Sequence, residues 1–189
     1  MRRPALWLLL LLAGCAHTPV ESAVPSWKLL SATPEITEIQ FQTTDTLNRA
    51  TVTDSGARGP FVDLKRAAGR IQGTIRVDLP VDLQAKGNQI TGRYAGDNYD
   101  LTLMPDGDET RATGLVRGQP STVWLSPQKI HGSVGECRLD LAWGAGRYTG
   151  LRTCGPMANE TVSLLVPAAL ASWSDPEAAA LLTLMVPRQ

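Results

Sequence analysis

The feature that most constrains the fold of this 189-residue chain is a motif that recurs along it. Residues 63–73 read DLKRAAGRIQG and residues 140–150 read DLAWGAGRYTG. The two align with Asp63-Leu64 over Asp140-Leu141, Ala68-Gly69-Arg70 over Ala145-Gly146-Arg147, and Gly73 over Gly150. A third copy opens at Asp100-Leu101 and closes at Arg111-Ala112-Thr113-Gly114, with four extra residues around Pro105-Asp106-Gly107-Asp108. Each copy has the pattern of a strand, a tight turn and a return strand. An insertion is tolerated where the chain turns, and the extra residues fall there. A glycine inside each return strand marks a bend, and regular bends curl a sheet. The expectation is a single antiparallel β domain, a barrel or an orthogonally packed sandwich built from repeated hairpins.

The end of the chain changes character. Residues 161–166 (TVSLLV) read as a last strand. Ser174-Asp175-Pro176-Glu177 then carries the signals of a helix start: a capping side chain, proline in the first turn and acid at the positive end of the dipole. Residues 178–185 are apolar on most sides, which predicts a short helix buried against the sheet or plugging one end.

The 140–150 copy fixes a register. If Ala145-Gly146 is a two-residue turn, Trp143 faces Tyr148 and Cys137 faces Cys154. Counting outward from the turn makes 137 and 154 a non-hydrogen-bonded pair with Cα atoms about 4.5 Å apart, a separation that a disulfide accepts. Leu139, Leu141, Trp143 and Tyr148 share that face, which is therefore the expected core face. Ala145 is the weak point, because this turn asks for positive φ and Ala resists it. A three-residue loop would shift the register by one. A metal site using both cysteines and His131 is the other use for the pair, although the Cys-x-x-Cys spacing of such sites is absent.

Composition narrows the class. The chain is 43% hydrophobic and 19% charged, which fits a folded globule. Seventeen Gly and thirteen Pro fall between apolar runs, as the turns of an all-β domain require. Residues 1–14 hold two of the 18 basic residues and none of the 18 acids, so the remaining 175 residues carry a net charge of −2. No nucleic-acid partner is expected at that charge.

The first residues read as a signal segment. Arg2 and Arg3 precede the apolar run ALWLLLLL at residues 5–12, which is too short to span a bilayer. Leu12-Ala13-Gly14-Cys15 follows. The set resembles the signal peptide and lipobox of bacterial lipoproteins. The resemblance implies cleavage before Cys15, lipid on that cysteine, and anchoring in the cell envelope. Ala16 in the next place implies the outer membrane. On this reading residues 1–14 are the signal peptide, 15–34 a lipidated Cys and flexible tether, and 35–189 the β-rich domain. The oxidising compartment favours the Cys137–Cys154 bridge.

No cofactor, catalytic or metal-binding signature stands out in the domain. Asp54-Ser55-Gly56 resembles the nucleophile segment of chymotrypsin-like proteases, but those enzymes place a catalytic His before the serine, and the only His before Ser55 is His17 in the tether, so a turn between strands is the favoured reading. Asp97, Asp106, Asp108 and Glu109 could crowd oxygen ligands but lack calcium-loop spacing. Asp63, Asp100, Asp140 and Arg70, Arg111, Arg147 recur at equivalent places, which would serve either a charged binding ring or, the favoured reading, outward cross-strand charges beside turns. The expected function is a non-catalytic envelope module that binds or supports an envelope protein, with Trp124, Trp143, Tyr148 and His131 as candidate contact residues. Two alternatives remain open. A small-ligand carrier would hold a cavity lined by Trp124, Trp143 and Tyr94. A hydrolase would need His131 beside a carboxylate in a cleft.

Overall fold

The structure is a computed structural model, and it describes residues 36–156 and 159–186. Cys15, the signal segment and the tether lie outside the described residues. The chain lays down β1 Glu38–Gln42, β2 Leu47–Thr53, β3 Gly56–Gly59, β4 Val62–Ala67, β5 Arg70–Ile75, β6 Leu79–Lys86 and β7 Gln89–Tyr94. It continues with β8 Asp97–Asp106, β9 Glu109–Val116, β10 Gln119–Leu125, β11 Lys129–Val134, β12 Cys137–Gly144, β13 Arg147–Cys154 and β14 Glu160–Leu165. Every strand pairs antiparallel with the next, and β14 pairs with β1, so these 14 strands among the described residues form a closed up-and-down barrel. Closure decides between the two architectures left open by the sequence, and it removes every sheet edge. Inward residues such as Leu64, Leu83, Leu101 and Leu141 are buried, whereas Asp63, Asp82 and Asp140 on the other face are exposed. A polar outer wall around an apolar lumen is the reverse of a membrane-spanning barrel.

The hairpin unit repeats more often than the three copies that the sequence makes obvious. Residues 82–92 (DLQAKGNQITG) and 122–132 (TVWLSPQKIHG) are further eleven-residue copies, and 49–59 (RATVTDSGARG) is another. In each unit the second residue points inward and lies opposite the closing glycine, as in Leu64 with Gly73, Leu83 with Gly92 and Val123 with Gly132. Gly73 shows why that place excludes a side chain. Its φ is 145°, and a Cβ there would lie 1.9 Å from the Asp63 carbonyl oxygen. The bend therefore brings two backbones into contact that only glycine allows. The 100–114 unit carries its extra residues as two longer strands, β8 and β9, around the Gly107-Asp108 turn.

The 145–146 turn has two residues, as the straightforward register requires. Ala145 takes φ 50° and Gly146 φ 83°, and Trp143 pairs with Tyr148 and Cys137 with Cys154. Ala68 and Ala95 sit at the same place in their turns with φ 49° and 55°. The sheet closure overrides the reluctance of alanine at three hairpins. A disulfide joins Cys137 to Cys154 with Cα atoms 4.0 Å apart.

After β14, a short 3₁₀ turn at Ala168–Ser172 leads to the helix α1, Asp175–Met185. All residues from Pro176 to Met185 are buried. The helix touches strands on opposite sides of the barrel: Glu177 meets Arg66 of β4, Thr183 meets Tyr99 of β8, and the Val186 carbonyl accepts from Arg152 of β13. A helix in contact with β4, β8 and β13 occupies the lumen. It is apolar all round because every side faces barrel wall. Consecutive turns alternate between the two ends. The helix enters beside the 54–55, 68–69 and 145–146 turns and ends beside the 76–78, 117–118 and 135–136 turns. The disulfide stands at that second end.

Candidate functional site

A lumen filled by the protein's own helix leaves the outer wall and the rims to face other molecules. Among the described residues, the recess between α1 and β4–β5 beside Met185 measures about 10 Å³. Such a recess holds one water at most. Tyr94 and Tyr148 face inward, are fully buried and belong to the packed core. The Tyr148 hydroxyl donates to the Ser126 and Pro127 carbonyls at 3.0 and 3.2 Å, and burial pushes its pKa up. The Tyr99 hydroxyl bonds Thr183 of the helix at 2.6 Å. These phenols tie wall to loop and wall to plug. Trp143 is half-buried beside Tyr148, edge to face at 5.1 Å.

The cavity-lining role expected of Trp124 is wrong in direction. Val123 and Leu125 face the lumen, so the strict alternation of a strand turns Trp124 outward. There it pairs with Arg111 of β9 on one side and His131 of β11 on the other. The Trp124 and His131 rings stack at 5.2 Å with planes 5° apart. The indole Nε1–H donates to Asp106 at 2.9 Å, and Arg111 stands 3.8 Å from the same carboxylate. His131 Nε2 lies 3.0 Å from Glu109. Arg111, Trp124 and His131 thus form one row across three strands, with Asp106 and Glu109 supplied by the β8–β9 turn. The Arg111 Nε is buried without a hydrogen-bond partner.

Sequence reasoning names every member of this row, but in three separate readings: Trp124 and His131 as contact residues, Arg111 as a recurring charge, and Asp106 and Glu109 as possible oxygen ligands; it misses that they meet. The missing signal is register. Aligning all the hairpin units puts Trp124 at the outward third place and His131 at the outward tenth. The long 100–114 hairpin then lifts its acidic turn alongside them. The row does not assemble the chemistry of a hydrolase. His131 does stand beside a carboxylate, but on a convex wall, and the adjacent hydroxyls of Thr113 and Thr122 bond each other at 3.0 Å. The two remaining candidates are neighbours of the row but turn the other way: Trp143 stands on β12, the strand beside that of His131, and packs against the core, while Tyr148 is buried in the lumen with its hydroxyl on the Ser126 carbonyl, two residues from Trp124.

The recurring charges do not gather into a ring. Arg70 grips Asp82 in a two-pronged pair at 2.9 and 2.8 Å, Arg58 reaches Asp63 at 3.3 Å, and Lys129 reaches Asp140 at 3.0 Å. The Arg70 hydrogen bonds hold the Asp82 carboxyl below its ordinary value. Of the acidic residues that could have crowded around a calcium ion, Asp97 stands at the opposite end of β8 from the turn that holds Asp106, Asp108 and Glu109, where Asp106 takes the Trp124 indole and Glu109 faces His131. Both domain cysteines are bound in the disulfide and are not free to ligate a metal with His131. Among the described residues no three His, Cys, Asp or Glu side chains converge on one point. No family model, no curated protein and no solved structure matches the chain.

Proposed function

We infer that this protein is a lipid-anchored envelope module that works by binding a protein partner on its outer wall, without catalysis. The observation that carries the reading is the seated helix: a barrel filled by its own chain offers others only its exterior. A convex strip suits another macromolecule better than a small ligand, and Arg111 and Trp124 of the row are residue types that interface centres favour. The anchor rests on the Leu12-Ala13-Gly14-Cys15 resemblance. The tether meets β1 at the helix-entry end, because Val52 beside the 54–55 turn donates to the Thr37 carbonyl. A chain anchored through Cys15 would therefore be joined to its tether at the end of the barrel opposite the disulfide.

Two measurements test this. The Cys15→Ser chain should leave the membrane fraction, and the intact mass of the native chain should carry an acyl increment on a first residue Cys15. A mature chain without lipid removes the anchor. A photo-crosslinker in place of Trp124 should capture an envelope protein that the same group at Gln72, across the barrel, does not. Equal capture at both places, or none, removes the binding strip.

A further inference from the structure

The disulfide end carries a cleft of about 340 Å³ between the β9–β10, β11–β12 and β13–β14 turns. Its apolar surface comes from Val116, Pro156 and the Cys137–Cys154 bridge, and its rim carries Arg117, Asp97 and Glu136. These three charges, of both signs around one small cleft, make no ion pair among the described residues. On the barrel wall the opposite charges that face each other do pair, as Arg70 does with Asp82 and Lys129 with Asp140. Arg117 is held by another contact: its guanidinium lies over the Tyr94 ring, 5.7 Å from the centroid.

The turn itself does not ask for arginine. Arg117 has φ 54° at the place that Ala68, Ala95 and Ala145 occupy in their hairpins. Alanine suffices there three times, so the long cationic side chain answers to something other than the backbone. A cation and two carboxylates held apart over an apolar floor are complementary to a small molecule that carries both charges and an apolar side chain. A lone ion would satisfy one sign only, and a neutral sugar neither. The volume lies at the small end of ligand sites, which limits the occupant to an amino acid or a dipeptide.

We propose that this cleft binds a free amino acid or short peptide as its zwitterion, with the carboxylate on Arg117, the ammonium on Asp97 and Glu136, and the side chain against the disulfide. The proposal goes beyond the envelope-module reading and is independent of the lipid anchor, since either can fail with the other intact. The test is calorimetric titration of the full chain with the dipeptide Ala-Leu, with its N-acetylated form and with its C-terminal amide. Ala-Leu should bind saturably, one per chain, and each blocked form about tenfold or more weakly, because each loses a charge-assisted contact. The Arg117→Ala chain should weaken Ala-Leu but no longer distinguish it from the amide, while Asp97→Asn with Glu136→Gln should no longer distinguish it from the acetylated form. Absence of saturable binding up to about 10 mM overturns the proposal. So does equal affinity for blocked and unblocked peptides, which would make the cleft merely apolar. The blocked peptides are titrated into the unaltered protein, so that comparison does not depend on any variant folding.

Discussion

Arg66 occupies the fourth place of its hairpin unit, an inward place that Val52, Ala85, Leu103, Leu125 and Trp143 fill with apolar side chains in other units. A cation pointed into an apolar lumen needs a partner, and α1 brings Glu177, whose side chain is 1% exposed. Arg66 Nε and Nη2 donate to its two carboxylate oxygens at 2.8 and 2.9 Å, and the Ser174 N–H and hydroxyl add 2.8 and 2.7 Å. Burial pushes the Glu177 pKa upward, but the hydrogen bonds from Arg66 and Ser174 outweigh it and leave it below the ordinary value. A carboxyl held low contributes stability above its unfolded pKa, near 4.3, and loses that contribution as pH falls through the folded value. Glu177→Gln leaves Arg66 facing a neutral amide, and at pH 7 it should cost about 3 kcal/mol. The deficit should shrink on acidification below pH about 4, where wild type loses the same charge. Thermal unfolding of both chains from pH 7 down to 3 measures it, and a deficit constant across that range would mean that the charge of Glu177 does not matter. The pairing itself is not legible in the sequence. Glu177 reads as a capping acid, but Arg66 reads as one more solvent-facing charge until all the units are aligned.

At the scale of the hairpin, local preference and closure disagree at Ala68, Ala95 and Ala145. A left-handed backbone costs an L-residue with a Cβ roughly 1–2 kcal/mol, and asparagine bears it better. Ala145→Asn should therefore stabilise the barrel by about 0.5–1 kcal/mol, because the turn is exposed and no contact of the methyl group is lost. Equilibrium urea unfolding reads this directly, and a destabilised Asn variant would place the φ of Ala145 outside the left-handed region in solution. The hairpins show what a single sequence reveals of such a fold. The Asp63, Asp100 and Asp140 units are legible because Asp-Leu and a closing Gly both survive in them. The 82–92 unit keeps both but turns on Gly87-Asn88 instead of Ala-Gly. The 49–59 and 122–132 units replace Asp-Leu by Arg49-Ala50 and Thr122-Val123, keeping only what the geometry demands: a small or apolar inward residue and a glycine opposite. The Cys137–Cys154 register can be worked out because it depends on one hairpin alone. The direction of Trp124 cannot, because it depends on Val123 and Leu125 facing a lumen that no single hairpin defines.

At the scale of the molecule, the barrel and α1 depend on each other. The helix itself is legible from Ser174 to Glu177, yet its seat is not: a helix apolar all round must be buried, and nothing local says against which surface. Inside the lumen Leu181, Leu182, Leu184 and Met185 are each at most 3% exposed. Four such side chains contribute roughly 8 kcal/mol at about 2 kcal/mol each, comparable with the whole stability of an ordinary domain. A chain ended after Trp173 would also leave Arg66 without its carboxylate and the apolar faces of Tyr99, Leu101 and Ile90 open to water. It should lose cooperative unfolding and near-ultraviolet dichroism while keeping strand signal, and it should bind a hydrophobic dye, as a collapsed chain without fixed packing does. The full chain should do none of these. A truncated chain that keeps a sharp thermal transition would show that the wall stands alone and that α1 is a removable plug. The emptied lumen would then be a cavity lined by Tyr94, Tyr99 and Tyr148, and a small-ligand carrier, opened by withdrawal of its own helix, would become the better account of this fold.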